Sequence, residues 1–402
     1  MELRKPRPSI LERVSLLVGT VALLAGSLTT ASAQSTSPRG PVPAETVSFK
    51  GGGVSSGWID FTPYTNFGIY LPVKINGHDA MALLYGGHSS IDANFAASLG
   101  LTSKTEAAGP LRGITLQLGD LILQNPTAAQ DELPLGFDAR ILGHPVLFML
   151  GKEVFNQVAV EIDFSHHRVA FRDPATLIKP IGAIEVSLAE LDGQRVVPLS
   201  VNGDEPRKFE LELGNVIGPL LVTPAYAEKE GLLQGHSHSQ RVSGRFVETV
   251  VSVDHLSFGG IDFPSTPIAL IPDSEVPPAS ITGGVGLPLL ARFRLIVDYS
   301  HDRLYAVPDY AAIKKPIERD RIGLVLDKKS TDSFVVAFVA PNSPAEAAGF
   351  KKGEKIALID GKPLSSWSLQ AIIAFQMAEV GSVHSLTMPD GTVRRIKAQD
   401  FF

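Results

Sequence analysis

The feature that most constrains the fold of this chain is an internal repeat. Residues 70–101 and 197–233 share an alternating strand, an Asn-Gly turn, a second apolar strand, a glycine-containing turn and a short helix. Asn-Gly between alternating strands is the strongest short sequence signal for a β-hairpin. Self-similarity at one offset indicates two copies of a single structural unit.

Three later blocks repeat in the same order. LQLGDLIL (116–123) matches LSFGGIDF (256–263), ILGHPVL (141–147) matches GVGLPLL (284–290), and VAVEIDFSHHRVAF (158–171) matches FRLIVDYSHDRLYA (293–306). The offsets vary little: 127 residues from Tyr85 to Glu212, 143 from Gly143 to Gly286 and 135 from Asp163 to Asp298. We therefore expect two tandem β-rich units, residues 47–175 and 183–310.

The N-terminal segment is typical of a secretory signal peptide. Basic residues within 4–13 precede an apolar run at 14–28, and Ala31-Ser32-Ala33 places small residues at a cleavage position. A membrane anchor needs about 20 apolar residues, more than this run supplies. We expect residues 1–33 to be removed, residues 34–46 to form a linker, and the mature protein to be periplasmic or secreted.

Composition and isolated polar motifs exclude other chemistries. The 402 residues contain no cysteine, so disulfides, thiolate nucleophiles and cysteine-ligated metals are excluded. The net charge of −6 argues against a general nucleic-acid binder. His236 and His238 form a His-x-His pair without a partnering cluster, so we expect neither metal nor cofactor. Asp163 and Asp298 precede equivalent Ser-His turns, which predicts a structural role for both.

The two units resemble the retropepsin-like aspartic protease family, in the bacterial form that has two lobes and a C-terminal PDZ domain. Each lobe of that family carries an Asp-Thr-Gly or Asp-Ser-Gly loop, beside which a later apolar-apolar-Gly strand passes. We match that strand to Ile141-Leu142-Gly143 and Gly284-Val285-Gly286. The resemblance implies a mainly β fold with two β-barrel lobes, a monomer with an internal pseudo-dimer, and a flap hairpin with a turn at Ser243-Gly244 in the second unit.

The catalytic triplets of that family are not preserved. The chain has Tyr85-Gly86-Gly87 in the first unit and Glu212-Leu213-Gly214 in the second, so only the third-position glycines remain. Aspartic proteases need two carboxylates about 3 Å apart that share one proton. A tyrosine phenol titrates near 10, too high for a base at neutral pH. Tyr85 and Glu212 are therefore degenerate dyad positions, while Gly87 and Gly214 are candidate peptide contacts.

Residues 318–402 resemble an α+β PDZ domain. The resemblance is carried by Val339-x-Pro341-x-Ser343-Pro344-Ala345-x-x-Ala348-Gly349-x-x-x-Gly353-Glu354-x-Ile356. In this family a ligand adds as a strand and its carboxylate binds backbone N–H groups. The resemblance assigns that role to Ile322-Gly323-Leu324, in which Ile322 and Leu324 line a pocket for an apolar terminal side chain. For Asp400-Phe401-Phe402 we expect a frayed strand end rather than a ligand for this groove.

These observations predict a protein that binds peptides or protein C termini, without nucleic acid as a partner and without standard Asp-dyad proteolysis. Two alternatives remain open. One is an active aspartic-type endopeptidase that uses Glu212 and Tyr85, with the PDZ domain selecting substrates. The other is a scaffolding partner for another envelope protein. Enzymatic activity is therefore left undecided by the sequence.

Overall fold

A computed structural model of the protein describes residues 44–61, 68–101, 109–133, 143–214, 218–243, 246–272, 276–327 and 333–402. The predicted signal peptide and most of the predicted linker lie outside these residues, as do Ile141, Leu142 and Gly244. The described chain is mainly β, which confirms the predicted fold class at that level. None of its described helices combines the length and apolar character needed to cross a membrane.

The first unit is built mainly on one large sheet. Its strands are β1 (Thr46–Phe49), β2 (Ile59–Asp60), β3 (Ile69–Ile75), β4 (His78–Leu84), β5 (Ser90–Asp92), β6 (Gly109–Pro110), β7 (Thr115–Leu118), β8 (Leu121–Gln124), β9 (Thr127–Asp131), β10 (Val146–Leu150), β11 (Ala159–Asp163) and β12 (Arg168–Arg172). The sheet has the order β1-β8-β7-β3-β4-β10-β5-β9-β6. Its helices are α1 (Ala93–Ser98) and α2 (Lys152–Phe155), with short 3₁₀ turns at Lys50–Gly52 and Pro174–Thr176.

The Asn-Gly turn of the first unit closes a two-residue hairpin. Ile75 of β3 pairs with His78 of β4. Between them, Asn76 and Gly77 have φ angles of 48° and 84°. Positive φ at both central residues is the type I′ geometry that this dipeptide favours, and it matches the twist of the flanking strands. The hairpin forms where the sequence predicts it.

The second unit has a sheet of similar design. Its strands are β13 (Ile184–Ser187), β14 (Ala189–Leu191), β15 (Gln194–Val201), β16 (Arg207–Leu211), β17 (Leu220–Val222), β18 (His238–Ser243), β19 (Phe246–Phe258), β20 (Ile261–Leu270), β21 (Gly283–Val285), β22 (Phe293–Asp298) and β23 (Arg303–Pro308). The sheet has the order β14-β15-β16-β21-β17-β20-β19-β18. The helices are α3 (Pro224–Lys229), α4 (Leu287–Leu290) and α5 (Tyr310–Ile313), with a 3₁₀ turn at Tyr299–His301. Strands β18 and β19 form a hairpin in the region predicted for the flap.

Strand pairing repeats between the two units. In the first, β10 runs parallel to β4 and antiparallel to β5, and β5 runs parallel to β9. In the second, β21 runs parallel to β16 and antiparallel to β17, and β17 runs parallel to β20. The internal repeat in the sequence therefore corresponds to a repeated β topology.

The sequence match of Ile141-Leu142-Gly143 to Gly284-Val285-Gly286 is wrong. The strand parallel to β4 is β10, and Gly151 follows it. Gly151 is the N-cap residue of α2, just as Gly286 is the N-cap residue of α4. Gly143 is instead an exposed residue with a φ angle of 79°.

The error arises because an apolar-apolar-Gly pattern occurs both at 141–143 and at 149–151, shortly before the same Asp-x-Ser-His turn. With Gly151 as the match, the offset to Gly286 is 135 residues, the same as for the Asp-x-Ser-His turns that follow. Both candidates satisfy the local pattern. Strand pairing, which depends on the whole unit, decides between them.

A six-stranded sheet joins the two units, in the order β13-β23-β22-β11-β12-β2. At its centre β11 of the first unit pairs antiparallel with β22 of the second. In each flanking hairpin the turn serine donates to the aspartate at the strand end: Ser165 to Asp163 at 2.8 Å and Ser300 to Asp298 at 2.6 Å. The repeated motif is therefore a structural turn, as predicted.

The C-terminal unit has its own hydrophobic core. Its strands are β24 (Leu324–Asp327), β25 (Phe334–Val339), β26 (Lys355–Ile356), β27 (Leu358–Ile359), β28 (Lys362–Pro363), β29 (Val383–Thr387) and β30 (Val393–Lys397). They form two sheets, β24-β25-β26 and β28-β27-β29-β30. The helices are α6 (Pro344–Ala347) and α7 (Leu369–Gln376), with a 3₁₀ turn at Leu364–Ser366. Phe334, Val336 and Ile356 are completely buried between these elements.

Candidate functional site

Tyr85 and Glu212 occupy the same position in the two copies of the repeat. Tyr85 directly follows β4, and its N–H donates to the Leu150 carbonyl at 2.9 Å. Glu212 directly follows β16, and its N–H donates to the Val285 carbonyl at 3.0 Å. Since Leu150 ends β10 and Val285 ends the equivalent β21, these two bonds are counterparts.

The two loops meet between the units at Gly86. A Cβ atom placed on Gly86 would lie 3.7 Å from Cβ of Leu213 and 3.8 Å from the carbonyl oxygen of Leu211. Those are ordinary van der Waals distances. The structure thus brings the Tyr85-Gly86-Gly87 loop of the first unit against the Glu212-Leu213-Gly214 loop of the second.

Tyr85 cannot serve as a base in this setting. Burial raises the pKa of its phenol well above the ordinary value, and the negative charges of Glu210, Glu212 and Asp131 raise the pKa further. An ionised phenolate is therefore disfavoured twice, by loss of hydration and by like-charge repulsion. The side chain is therefore a neutral phenol at neutral pH.

A second carboxylate, Glu210, lies beside Glu212. The two residues are two positions apart, so their side chains project from the same face of the chain, while Leu211 between them is buried on the other. A Cβ atom on Gly284 would lie 1.7 Å from a carboxylate oxygen of Glu212, so this head group covers Gly284. Gly284 is the cross-strand partner of Glu210, which places the Glu212 carboxylate next to the Glu210 side chain.

Glu210 is a functional candidate that the sequence analysis missed. Burial raises the pKa of Glu210 to about 7, and the positive charge of Lys152 only partly opposes this effect. An acid that is half-protonated near neutral pH is suited to proton transfer. In the sequence, Phe-Glu-Leu-Glu-Leu is typical of a strand with one solvated face, and nothing in that pattern shows that the face is covered.

The loop glycines are enclosed by their surroundings. A Cβ atom on Gly87 would lie 2.5 Å from Cε1 of Tyr85, so the tyrosine ring covers that side of Gly87. Gly214 is buried, and residues 215–217 after it lie outside the described chain. Gly87 is therefore needed to accommodate Tyr85, which is a different role from the predicted contact with a bound peptide.

Tyr299 lies beside Gly86 of the first loop. Its ring stacks on Phe155 with a centroid separation of 5.0 Å, and the Arg195 guanidinium lies 4.8 Å from the ring centroid. Its hydroxyl would be 3.7 Å from a Cβ atom on Gly86 and has no hydrogen-bond partner within the described parts of the chain. Phe155 belongs to the first unit and Tyr299 to the second, so this stack is a contact between the two units.

The predicted His-x-His pair gives no sign of a metal centre. His238 is exposed and its ring nitrogen lies 3.4 Å from the backbone carbonyl of His236. Within the described ranges, no group of three or more histidine, aspartate or glutamate side chains is arranged to hold a metal ion.

The predicted carboxylate-binding loop of the C-terminal unit already binds a carboxylate. The N–H groups of Ile322 and Gly323 both donate to the same oxygen of Asp320, each at 2.8 Å. Gly323 has a φ angle of 75°, and a Cβ atom there would lie 2.1 Å from Cβ of Ser343. Glycine is therefore required at this position, both for the backbone conformation and for the close approach of Ser343.

Ile322 and Leu324 do not line an open pocket. Both are completely buried and belong to the hydrophobic core of the C-terminal unit. The prediction that they line a pocket for an apolar terminal side chain differs from this position in the core. The alternation of apolar residues around Gly323 indicates burial, but it does not distinguish a core from a pocket.

Asp320 was also missed by the sequence analysis. Burial raises the pKa of its carboxyl to about 6, while the two N–H groups and the positive charge of Arg241 oppose that rise. An aspartate commonly accepts hydrogen bonds from the backbone N–H groups two and three residues later in a turn. That local signal was present in the sequence, in Asp320-Arg321-Ile322-Gly323.

Helix α7 is connected to the same loop and to β24. The Gln376 side-chain amide donates to the Leu324 carbonyl at 3.0 Å. The Arg321 N–H donates to the Gln376 carbonyl at 2.8 Å. These two bonds join the end of α7 to the start of β24, where a groove between the helix and the strand would begin.

The hairpin of β18 and β19 reaches the C-terminal unit close to this loop. The Ser239 hydroxyl donates to the Pro341 carbonyl, and the Asn342 side-chain amide donates to the His238 carbonyl at 3.2 Å. Pro341 and Asn342 immediately precede Ser343, which packs on Gly323. The predicted flap of the second unit therefore contacts the segment behind the carboxylate-binding loop.

The expectation of a frayed strand end at Asp400-Phe401-Phe402 is wrong. The Phe402 carbonyl accepts hydrogen bonds from the Arg319 guanidinium at 3.0 Å and the Ser252 hydroxyl at 2.8 Å. Its side chain packs on an apolar cluster of the second unit that includes Leu221 and Ile271. Burial of an aromatic ring is worth more than the entropy lost in fixing it, and the sequence does not show that a matching surface exists.

Comparison with protein families identifies one part of the chain. The PDZ domain family model matches residues 311–388, and this part of the chain is a PDZ domain. The matched range runs from α5 to just after β29 and contains Asp320, the Ile322-Gly323-Leu324 loop and Gln376. No curated protein matches the chain.

Proposed function

We propose that this protein is an exported polypeptide-binding protein, with the PDZ domain as its binding module. The observation that carries the proposal is the PDZ domain at residues 311–388, since such domains typically bind peptides or C termini. The two preceding units are proposed to be retropepsin-like lobes whose cleft holds polypeptide without cutting it by an Asp dyad.

The repeated β topology and the contact between the two loops support the retropepsin-like part of the proposal. A protease of that class requires one carboxylate from each loop. Here the first loop supplies a neutral phenol, Tyr85, in place of the carboxylate, and the second supplies Glu212. In this proposal the two loops still meet between the units, but they no longer supply one carboxylate each.

A second candidate function is hydrolysis by an unusual acid pair. It is favoured by Glu210, whose carboxyl lies beside Glu212 and has a pKa of about 7. A protonated acid next to an ionised carboxylate could donate a proton to a carbonyl while its partner activates water. Both acids then come from one unit, which distinguishes this site from the two-loop arrangement of the family.

Peptide binding is tested by fluorescence anisotropy with the full chain. Labelled peptides that end in an apolar residue are titrated with a free C terminus, and a scrambled peptide serves as the control. Saturable, sequence-dependent binding is expected. If no peptide of a diverse set binds at millimolar protein concentration, the proposed binding role is wrong.

Proteolysis is tested with a denatured protein substrate between pH 3 and pH 8. The binding proposal expects no cleavage. Cleavage that is lost in Glu212→Gln and in Glu210→Gln, but kept in the exposed-residue control Glu228→Gln, would establish the hydrolytic alternative. Inhibition by pepstatin would further assign the activity to the cleft.

A further inference from the structure

We propose that the groove of the PDZ domain is self-occupied: Asp320 fills the carboxylate-binding position, Gln376 bonds the first carbonyl of β24, and a ligand binds tightly only after displacing them. This inference rests on the proposed binding role, and it concerns how that role is regulated. Three features of the domain carry it.

The first feature is the use of the loop N–H groups. Each backbone N–H has one hydrogen, and those of Ile322 and Gly323 both point at one carboxylate oxygen of Asp320 at 2.8 Å. Converging N–H groups are the arrangement by which a backbone loop binds an anion. The loop therefore already has the conformation that binds a carboxylate, and the carboxylate that it binds is the side chain of Asp320.

The second feature is the edge of the sheet. Strand β24 is the terminal strand of β24-β25-β26, so a ligand strand must add along its outer edge. The Leu324 carbonyl is the first on this strand, and the Gln376 side chain donates to it at 3.0 Å from α7. The amide of Gln376 takes the place of a backbone N–H from an added strand, as Asp320 takes the place of a carboxylate.

The third feature is the anchoring of the segment that carries Asp320. Arg319 is buried and its guanidinium donates to the Ser252 hydroxyl at 2.7 Å and to the Phe402 carbonyl at 3.0 Å. On the other side, Arg321 donates to Asp400 at 2.7 Å. Because both neighbours are fixed, Asp320 is held over the loop at little additional cost in conformational entropy.

An internal competitor lowers the apparent affinity by the fraction of molecules in which the site is open. If the site is open in about one molecule in ten, removal of the competitor tightens binding about tenfold, which corresponds to about 1.4 kcal/mol. The gain is specific to ligands that present a terminal carboxylate, because only these compete for the two N–H groups.

The test compares the full-length wild type with Asp320→Ala and Asp320→Asn by fluorescence anisotropy. The probes are one apolar-ended peptide with a free C terminus and the same peptide with an amidated C terminus. Asparagine keeps an oxygen that accepts from both N–H groups, so it is the matched control. Asp320→Ala is expected to bind the free-carboxylate peptide about tenfold more tightly than wild type, with Asp320→Asn much closer to wild type.

Gln376→Ala provides a second variant that leaves the loop intact, and it is expected to tighten binding of both peptides. Thermal unfolding of each variant verifies folding. If wild type and Asp320→Ala bind the free-carboxylate peptide equally well, or if Asp320→Ala gains as much for the amidated peptide, self-occupation is wrong although peptide binding stands. If no variant binds either peptide, the proposed binding role fails, and the inference fails with it.

Discussion

Glu161 of the first unit and Arg294 of the second form an ion pair of 3.1 Å across the centre of the shared sheet. Glu161 is almost completely buried, and its other carboxylate oxygen accepts from Arg172 at 2.5 Å. A single carboxylate therefore pairs with two guanidinium groups, one from each unit. Glu161 lies where β11 and β22 pair. Loss of its carboxylate therefore weakens the contact between the two units as well as the first unit itself.

Glu161→Ala is expected to lower the free energy of unfolding by roughly 3 kcal/mol, because two partly buried cations lose their counter-ion. Urea unfolding followed by circular dichroism measures the change. The matched control is Glu185→Ala, which removes an exposed pair with Lys179 and should cost less than about 1 kcal/mol. Equal losses in the two variants would contradict the assigned role of Glu161.

Glu210 should make stability depend on pH near neutrality. Its pKa is about 7 in the folded protein, against about 4.3 for glutamate in an unfolded chain. The folded state therefore binds the extra proton between these values, and stability falls as pH rises from about 4 through 7. One proton accounts for at most about 1.4 kcal/mol per pH unit.

Glu210→Gln removes this titration and should flatten the decline. Urea unfolding at pH 5 and pH 8 measures the free energy of unfolding of both proteins. Relative to wild type, the variant is expected to be more stable at pH 8 than at pH 5. Glu228→Gln, at an exposed position, controls for the loss of one surface charge. A decline in Glu210→Gln as steep as that of wild type would show that other groups cause it.

Tyr299→Phe should leave stability unchanged or raise it by about 1 kcal/mol. The buried hydroxyl of Tyr299 has no hydrogen-bond partner in the described chain, so its removal relieves an uncompensated loss of hydration. The ring must be kept, because it stacks on Phe155. Tyr299→Ala is therefore expected to cost about 3–5 kcal/mol. Thermal unfolding of both variants tests the pair, and a large loss for Tyr299→Phe would reveal a partner for the hydroxyl.

Gly151→Ala should destabilise the first unit by about 2–3 kcal/mol. The added Cβ would lie 2.2 Å from the Gly87 carbonyl oxygen and 2.3 Å from the Ser89 nitrogen, and backbone atoms cannot move aside easily. Gly53→Ala is the control, since its Cβ would meet nothing closer than 3.4 Å. Chemical denaturation distinguishes them, and equal midpoints would contradict the close approach.

The repeat and the PDZ domain could be predicted because their signals are local. Asn76-Gly77 fixes a hairpin through the φ angles that those two residues tolerate, and the block from Val339 to Ile356 contains its own turn and helix signals. In the same way, the equivalence of Tyr85 and Glu212 followed from the matching order of blocks in the repeat and from the triplet pattern of the resembled family, and the pairing of β10 and β21 agrees with it.

The remainder depends on contacts between distant segments. The choice of Gly151 over Gly143 requires strand pairing, and the raised pKa of Glu210 requires the burial of its carboxyl in the folded chain. The position of Phe402 requires an apolar surface that forms only when the second unit has folded. The occupation of the loop by Asp320 could be predicted in part, because the sequence places this hydrogen-bond acceptor two residues before Ile322, where the loop begins.

Because the two units share a sheet within one chain, each unit can acquire amino-acid substitutions independently of the other. In a protein made of two identical subunits, every substitution appears twice, once on each side of the symmetry axis. Here the halves are joined in one chain, so a substitution in one loop is not copied into the other. Exact symmetry would require the same residue at equivalent positions of the two units. Here Tyr85 is equivalent to Glu212, and Leu83 is equivalent to Glu210 on the preceding strands.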